Sequence, residues 1–184
     1  LKVVDPVMGD NGKPYSTYTP ELIRRMKELV DAADVITPNL TETCMLLGEE
    51  CPPVMSVAQA RSWLARLSDK PGIVVIKGVP LIDDDGQKLS NVGFDKESGS
   101  FWRIDWDHIP VHYPGTGDIF TSVLTASLLK GESLPIALNR ATTFTEIAVK
   151  TTYSYGTEPR LGVLFEDCLS WLMTNTVLCD YRKL

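Results

Sequence analysis

The run Ile73-Val74-Val75-Ile76 restricts the fold of this chain more than any other feature of the sequence. A strand with one face in water alternates apolar and polar residues, whereas four consecutive β-branched residues indicate a strand buried on both faces. Such strands belong to parallel sheets covered by helices on each side. The run, from Gly72 to Lys77, therefore predicts an α/β fold with a mainly parallel central sheet flanked by helices.

The rest of the chain alternates short apolar runs with segments of helical periodicity, as this fold requires. Thr19-Pro20-Glu21 has the N-cap, the proline and the first-turn acid of a helix start. Residues 7–18 are rich in glycine, proline and aspartate and are expected to form a loop. Further strands are expected at 1–4 and 34–37 and as a pair within 79–107, and helices at 19–30, 42–47 (capped by Thr41, ended by Gly48), 56–67, 117–129, 134–151 and 163–173.

Composition excludes several classes of protein. Of 184 residues, 43% are hydrophobic and 23% charged, and the net charge is -6, so nucleic acid and anionic membranes are poor partners. No apolar run is long enough to cross a bilayer. Cys44, Cys51, Cys168 and Cys179 form no CxxC pair, so we expect no zinc site and no disulfide framework, but free thiols in a reducing, cytoplasmic compartment.

The strongest chemical motif is Gly115-Thr116-Gly117-Asp118, directly before an apolar helix. Glycines let a ligand approach the backbone, and the free N–H groups of a helix start attract an anion. Asp118 is then placed to take a proton from a hydroxyl while those groups hold a phosphate. An ordinary N-cap explains the tetrapeptide equally well.

Two further polar segments follow predicted strands. Asp5 and Asp10 are carboxylates of the kind that hold Mg²⁺ directly or through water, although a proline–glycine turn explains them as well. Asn39 is a candidate phosphate contact and Glu42 a candidate metal ligand, unless they only begin a helix capped by Thr41.

Together these segments point to one chemistry. Strand-to-helix junctions gather at the carboxyl edge of a parallel sheet, and Lys77-Gly78 supplies a fourth strand end there. Carboxylates, an asparagine, a lysine and an anion-binding turn at one edge describe a site for nucleotide-dependent phosphoryl transfer.

The same motifs resemble those of a known family. DPVMGDNG (5–12) with Tyr15 shortly after it, TPNLTE (37–42), VVIKG (74–78) and GTGDIF (115–120) are similar, in this order, to the C-terminal part of the pyridoxal kinases of the ribokinase superfamily. The similarity extends from residue 1 to about residue 150. It implies a ribokinase-like fold in which residues 1–184 are the ATP-binding portion of one kinase domain, with the N-terminal part expected before residue 1.

The resemblance also implies an activity. That family transfers the γ-phosphate of ATP to the 5′-hydroxyl of pyridoxal, pyridoxine or pyridoxamine in vitamin B6 salvage. The reaction uses Mg²⁺ and a monovalent cation, K⁺ or Na⁺, and the enzymes are homodimers. The implied site residues are Asp118 as the catalytic base that also contacts the substrate, Gly115, Thr116 and Gly117 as the anion hole, Asp5, Asn39, Lys77 and Gly78 near ATP, Asp5, Asp10 and Glu42 near Mg²⁺, Thr37 near the monovalent cation, and Tyr15 near the pyridoxal ring.

Two other interpretations remain open on the sequence. Hydroxymethylpyrimidine (phosphate) kinases of the same superfamily share the DPVM and TPN motifs, but often place a cysteine where Asp118 stands here. A non-catalytic ATP-binding fragment would keep every motif and lack half of the substrate pocket.

Overall fold

The computed structural model describes residues 1–174 and 178–184. The described helices of more than three residues are α1 (Pro20–Asp31), α2 (Leu40–Leu47), α3 (Val57–Leu67), α4 (Thr116–Leu129), α5 (Leu134–Tyr155) and α6 (Leu169–Leu172). The described strands are β1 (Val3–Val4), β2 (Gly9–Asp10), β3 (Lys13–Pro14), β4 (Val35–Ile36), β5 (Met55–Ser56), β6 (Ile73–Asp83), β7 (Gly86–Asp95), β8 (Ser100–Trp106) and β9 (Arg182–Lys183).

Seven of these strands form one sheet in the order β1-β4-β6-β7-β8-β9, with β5 paired to the far part of β6. β1, β4 and β6 run parallel, with Val35 opposite both Val3 and Ile73. β7, β8 and β9 extend the sheet by antiparallel pairing. The carboxyl ends of β1 and β4 therefore lie beside the middle of β6, and this edge receives the polar segments identified in the sequence.

β6 is the centre of the core and has apolar cover on both faces. Val74 and Ile76 pack with residues of α2 and α3 on one face, and Val75 packs with residues of α4 and α5 on the other. All three side chains are 0% exposed, and each such burial contributes about 2 kcal/mol. The α/β class, with a parallel central sheet flanked by helices, is confirmed.

Several helix boundaries agree with the sequence. Thr19 caps α1 and Ser56 caps α3, each accepting a hydrogen bond from a backbone N–H of the first turn. Gly48 ends α2 with φ 71°. Thr41, however, is not the cap of α2: Asn39 caps it and exchanges reciprocal hydrogen bonds with Glu42, so the helix begins two residues earlier than predicted.

Three other expectations differ from the structure. β6 does not end at Lys77 but continues to Asp83, and a bulge between Ile76 and Val79 contains Lys77 and Gly78. The expected loop over 7–18 contains the β2–β3 hairpin, which the backbone of Gly9 and Asp10 forms with Lys13 and Pro14. Residues 163–173 form two short helical turns and not one continuous helix, and their apolar side chains pack in the same cluster as those of α5.

The prediction of four free thiols is wrong for two of them. Cys44, near the end of α2, forms a disulfide with Cys51, and their Cα atoms are 5.6 Å apart. The left-handed turn at Gly48 folds the chain back between them, a proximity that residue spacing does not reveal. Cys168 and Cys179 are free. Among the described helices, none has the length and apolar character needed to span a bilayer.

Candidate active site

An ion pair lies at the centre of the carboxyl edge. Lys77 Nζ lies 2.8 Å from both Oδ1 and Oδ2 of Asp5, and the two side chains are 14% and 12% exposed. The bulge in β6 turns Lys77 toward β1, and Asn91 holds the bulge by accepting a hydrogen bond from the Gly78 N–H at 2.9 Å. A lysine of β6 and the aspartate that follows β1 are thus joined across the end of β4.

Two threonines extend this network beneath the cleft. Thr121 Oγ1 lies 3.1 Å from Asp5 Oδ2 and 2.9 Å from the hydroxyl of Thr37, which is 0% exposed. Thr121 belongs to α4, so the network links that helix to the ends of β1 and β4.

The start of α4 faces the ion pair. Gly115 adopts φ 88°, and among the residues that the structure describes no side chain caps the first N–H groups of this helix. A Cβ built on Gly117 would lie 3.2 Å from Lys77 Nζ and 3.7 Å from Asp5 Oδ2, so a larger residue would displace the ammonium from this turn. Asp118 follows in the first turn with an exposed side chain. Free N–H groups, an ammonium and a carboxylate are the groups that a transferring phosphoryl and an attacking alcohol require.

The first residues of α2 hold the β2–β3 hairpin over the cleft. Asn39 Nδ2 donates to the Gly9 carbonyl at 2.9 Å, and Thr41 Oγ1 accepts from the Gly12 N–H at 2.9 Å. Glu42 accepts from the Met8 N–H at 3.1 Å. These side chains therefore position the backbone that carries Asp10, in addition to whatever ligand contacts they make.

Glu42 is a buried carboxyl group close to the negative charge of Asp5. It is 2% exposed, and burial raises its pKa from 4.5 to about 7, with the charge of Asp5 adding to the rise. Hydrogen bonds from the Asn39 and Met8 N–H groups and the charge of Lys77 oppose the rise. The pKa of the Tyr15 hydroxyl is also raised, first by burial and then by the carboxylates of Asp10, Glu42, Asp5 and Asp118.

One cleft of about 1210 Å³ gathers these groups. Of the residues that the sequence assigned to the site, the cleft is lined by Asp5, Asp10, Tyr15, Asn39, Glu42, Lys77, Gly78, Gly115, Thr116, Gly117 and Asp118. Thr37 does not line it and lies below, in contact with Thr121.

The donor set fits a magnesium ion held largely through water. No three His, Cys, Asp or Glu side chains of residues 1–174 and 178–184 are grouped closely enough to enclose a metal by themselves. Glu42 nevertheless lies close enough to Asp5 and Lys77 for the carboxylate to raise its pKa and the ammonium to lower it, while Lys77 itself is paired with Asp5. Mg²⁺ keeps several waters and takes one or two protein carboxylates beside substrate phosphates, which this arrangement provides.

Three residues that hold the site in place were not assigned to it from the sequence. Thr121, Asn91 and Thr41 hold the ion pair, the bulge and the hairpin. Thr121 has a sequence signal, since it lies three residues after Asp118 on one face of the same helix. Asn91 has none, because its contact depends on the register of β6 with β7.

Comparison with known proteins identifies the family. The phosphomethylpyrimidine kinase family matches residues 1–161. The chain belongs to the phosphomethylpyrimidine kinase family. Its relatives and structural neighbours include both pyridoxal kinases and hydroxymethylpyrimidine/phosphomethylpyrimidine kinases, as the following three proteins show.

One similar structure is the crystal structure of a candidate phosphomethylpyrimidine kinase from Bacteroides thetaiotaomicron, in a form with pyridoxal. Its sequence is 40% identical, the TM-score is 0.92, and the match covers 99% of this chain and 64% of the Bacteroides chain. The pyridoxal kinase of Leishmania donovani, solved with ADP and pyridoxamine, is 25% identical with a TM-score of 0.80, over 99% of this chain and 61% of its own. The hydroxymethylpyrimidine/phosphomethylpyrimidine kinase of Bacillus subtilis is 31% identical over 84% of this chain and 55% of its own. This chain thus spans between 55% and 64% of the length of these proteins.

Proposed function

We propose that the protein containing this phosphomethylpyrimidine kinase family chain transfers the γ-phosphate of ATP to the 5′-hydroxyl of pyridoxal, pyridoxine or pyridoxamine. Residues 1–184 are then the ATP-binding portion of one kinase domain. The observation that carries the proposal is the approach of the α4 turn to the ion pair: the Cβ position of Gly117 lies 3.2 Å from Lys77 Nζ. An uncapped helix start and an ammonium facing one point make a binding place for a phosphoryl group.

The proposed mechanism assigns positioning and charge stabilisation to the chain. The N–H groups of Thr116 and Gly117 and the ammonium of Lys77 hold the oxygens of the transferring phosphoryl. Asp118 orients the substrate hydroxyl and accepts its proton. Phosphoryl transfer needs such positioning more than covalent chemistry. Asp5 and Glu42 would hold magnesium, largely through water, and the ion would supply charge neutralisation to the phosphates.

Two features favour a B6 vitamer over the pyrimidine. Asp118 offers a carboxylate base at the start of α4, where hydroxymethylpyrimidine kinases often carry a cysteine. Tyr15 is 42% exposed, lines the cleft and follows the hairpin, where a phenol ring can lie against the ring of pyridoxal. The similar Bacteroides structure in a form with pyridoxal supports the same choice.

The competing candidate is phosphorylation of hydroxymethylpyrimidine or its phosphate. The family match and the Bacillus relative favour it. Both reactions use the same phosphoryl-binding turn, so the choice depends on the acceptor end of the cleft.

A competition experiment distinguishes these candidates. Pyridoxal, pyridoxine, pyridoxamine and hydroxymethylpyrimidine are mixed at equal concentration with Mg²⁺ and ATP, and the phosphorylated products are separated. The enzyme is residues 1–184 and, in parallel, the protein with any residues that precede Leu1. Phosphorylated B6 vitamers in excess are expected. A phosphorylated pyrimidine in excess contradicts the vitamer assignment, and nucleotide binding without any product favours a non-catalytic ATP-binding chain.

A further inference from the structure

The hydroxyl of Thr121 makes its contacts outside its own helix. It lies 3.1 Å from Asp5 Oδ2 and 2.9 Å from Thr37 Oγ1. By contrast, Thr125, one turn later on α4, donates to the Thr121 carbonyl at 2.7 Å, the ordinary bond of a threonine within a helix. Thr121 therefore connects α4 to two strand ends.

The proton directions in this network follow from donor counting. An ionised carboxylate only accepts, so Thr121 must give its single hydroxyl proton to Asp5. The hydroxyl of Thr37 then donates to Thr121. The ammonium of Lys77 supplies the other donors to Asp5. Asp5 is thus fixed from two sides, by Lys77 on β6 and by Thr121 on α4.

This network determines a distance that the proposed reaction needs. Gly117 and Asp118 lie within one turn of Thr121, so the bond to Asp5 anchors that turn to the carboxylate that holds Lys77. The Cβ position of Gly117 is 3.2 Å from the Lys77 ammonium, so a small displacement of α4 separates the two groups that face the phosphoryl.

We propose that Thr121 is a positioning residue: its hydroxyl aligns the Gly115–Asp118 turn with Lys77 through Asp5, and so aligns the γ-phosphate with the acceptor. The inference rests on the proposed phosphoryl transfer. Thr121 itself touches no reacting atom, and its effect is transmitted through Asp5.

Three variants separate the hydroxyl from the shape of the side chain. Thr121→Val keeps the shape and removes the hydroxyl, and Thr121→Ser restores the hydroxyl. Thr125→Val is the matched control, because it makes the same change one turn later on the same helix, where the hydroxyl donates to a backbone carbonyl of that helix. Circular dichroism and thermal melting verify that each variant folds.

The readout is the split between kcat and the acceptor KM, measured in the full protein with the acceptor that the wild type uses best. Thr121→Val is expected to lower kcat about tenfold or more, because misplaced groups lose transition-state contacts, with little change in acceptor KM. Thr121→Ser is expected to recover most of kcat, and Thr125→Val to resemble the wild type. Equal kcat values for the two valine variants, or a serine variant as slow as Thr121→Val, overturn the proposal.

A binding measurement tests Thr121 independently of the acceptor. The dissociation constants of ADP and a non-hydrolysable ATP analogue are compared by calorimetry, and their ratio reports what the γ-phosphate contributes. Thr121→Val is expected to reduce that ratio about fivefold or more, a loss of about 1 kcal/mol, while ADP binds as before. An unchanged ratio overturns the inference. If the wild type binds nucleotide but phosphorylates no acceptor, the proposed function fails and this ratio still decides the role of Thr121.

Discussion

Lys77 and Asp5 form an ion pair across the end of β4, with Nζ 2.8 Å from each carboxylate oxygen. The two residues are 72 positions apart in the sequence, so their contact depends on the tertiary fold. A β-bulge turns the lysine toward the aspartate, and α4 brings its first turn against the pair. The pair therefore lies where the sheet meets the turn that we propose binds the phosphoryl group.

The ion pair is expected to support stability as well as the site. Lys77→Met keeps most of the apolar side chain and leaves the carboxylate of Asp5, only 12% exposed, with Thr121 as its remaining side-chain donor among the described residues. We expect a loss of about 2 kcal/mol in the free energy of unfolding, measured by urea denaturation. The double variant Asp5→Asn/Lys77→Met removes both charges and should recover part of the loss. Strictly additive losses would show that the two groups do not interact.

Gly117→Ala should separate activity from stability. The new methyl group would lie 3.2 Å from Lys77 Nζ, and the flexible lysine side chain can move away at little cost. Alanine also favours a helix by up to about 1 kcal/mol, so the melting temperature should stay or rise. Turnover should fall about tenfold or more because the ammonium no longer faces the turn. Unchanged turnover in a folded variant would remove Lys77 and Gly117 from the phosphoryl site.

Glu42 should make stability depend on pH in the absence of metal. Its pKa is raised from 4.5 to about 7, so between these values the folded chain binds more protons than the unfolded chain. The contribution of Glu42 to stability is then greatest below pH 4.5 and decreases by about 3 kcal/mol as pH rises through about 7. Glu42→Gln resembles the protonated form and should lack this decrease.

The measurement is urea denaturation of wild type and Glu42→Gln in EDTA at several pH values from 4.5 to 8. Because groups distant from Glu42 titrate alike in both proteins, only the difference between the two curves is interpreted. A difference that stays constant with pH would show that Glu42 ionises normally in the folded chain.

Much of the fold follows from local signals in the sequence. The β-branched run of Ile73–Ile76 indicates a strand buried on both faces, and Thr19, Ser56 and Gly48 mark helix ends by their own backbone chemistry. The same local information placed the polar residues of the site at one sheet edge, since parallel strands end together.

Other features depend on contacts that no local pattern contains. Asn39 and Thr41 are both residues that favour a helix N-cap. Asn39 is the cap of α2, because the Thr41 hydroxyl accepts a hydrogen bond from the Gly12 N–H of the hairpin. The bulge at Lys77 and Gly78 requires the long pairing of β6 with β7, and the Cys44–Cys51 bond requires the turn at Gly48.

The most direct test of the account follows the γ-phosphate itself. The full protein and its Asp118→Asn variant are incubated with Mg²⁺, pyridoxal and ATP labelled in the γ-phosphate, and ADP binding is measured in both proteins. Label is expected on the 5′-oxygen of pyridoxal, at a rate about a thousandfold lower in Asp118→Asn, with ADP affinity unchanged. No labelled pyridoxal from the wild type, or equal rates in the two proteins, would contradict the account.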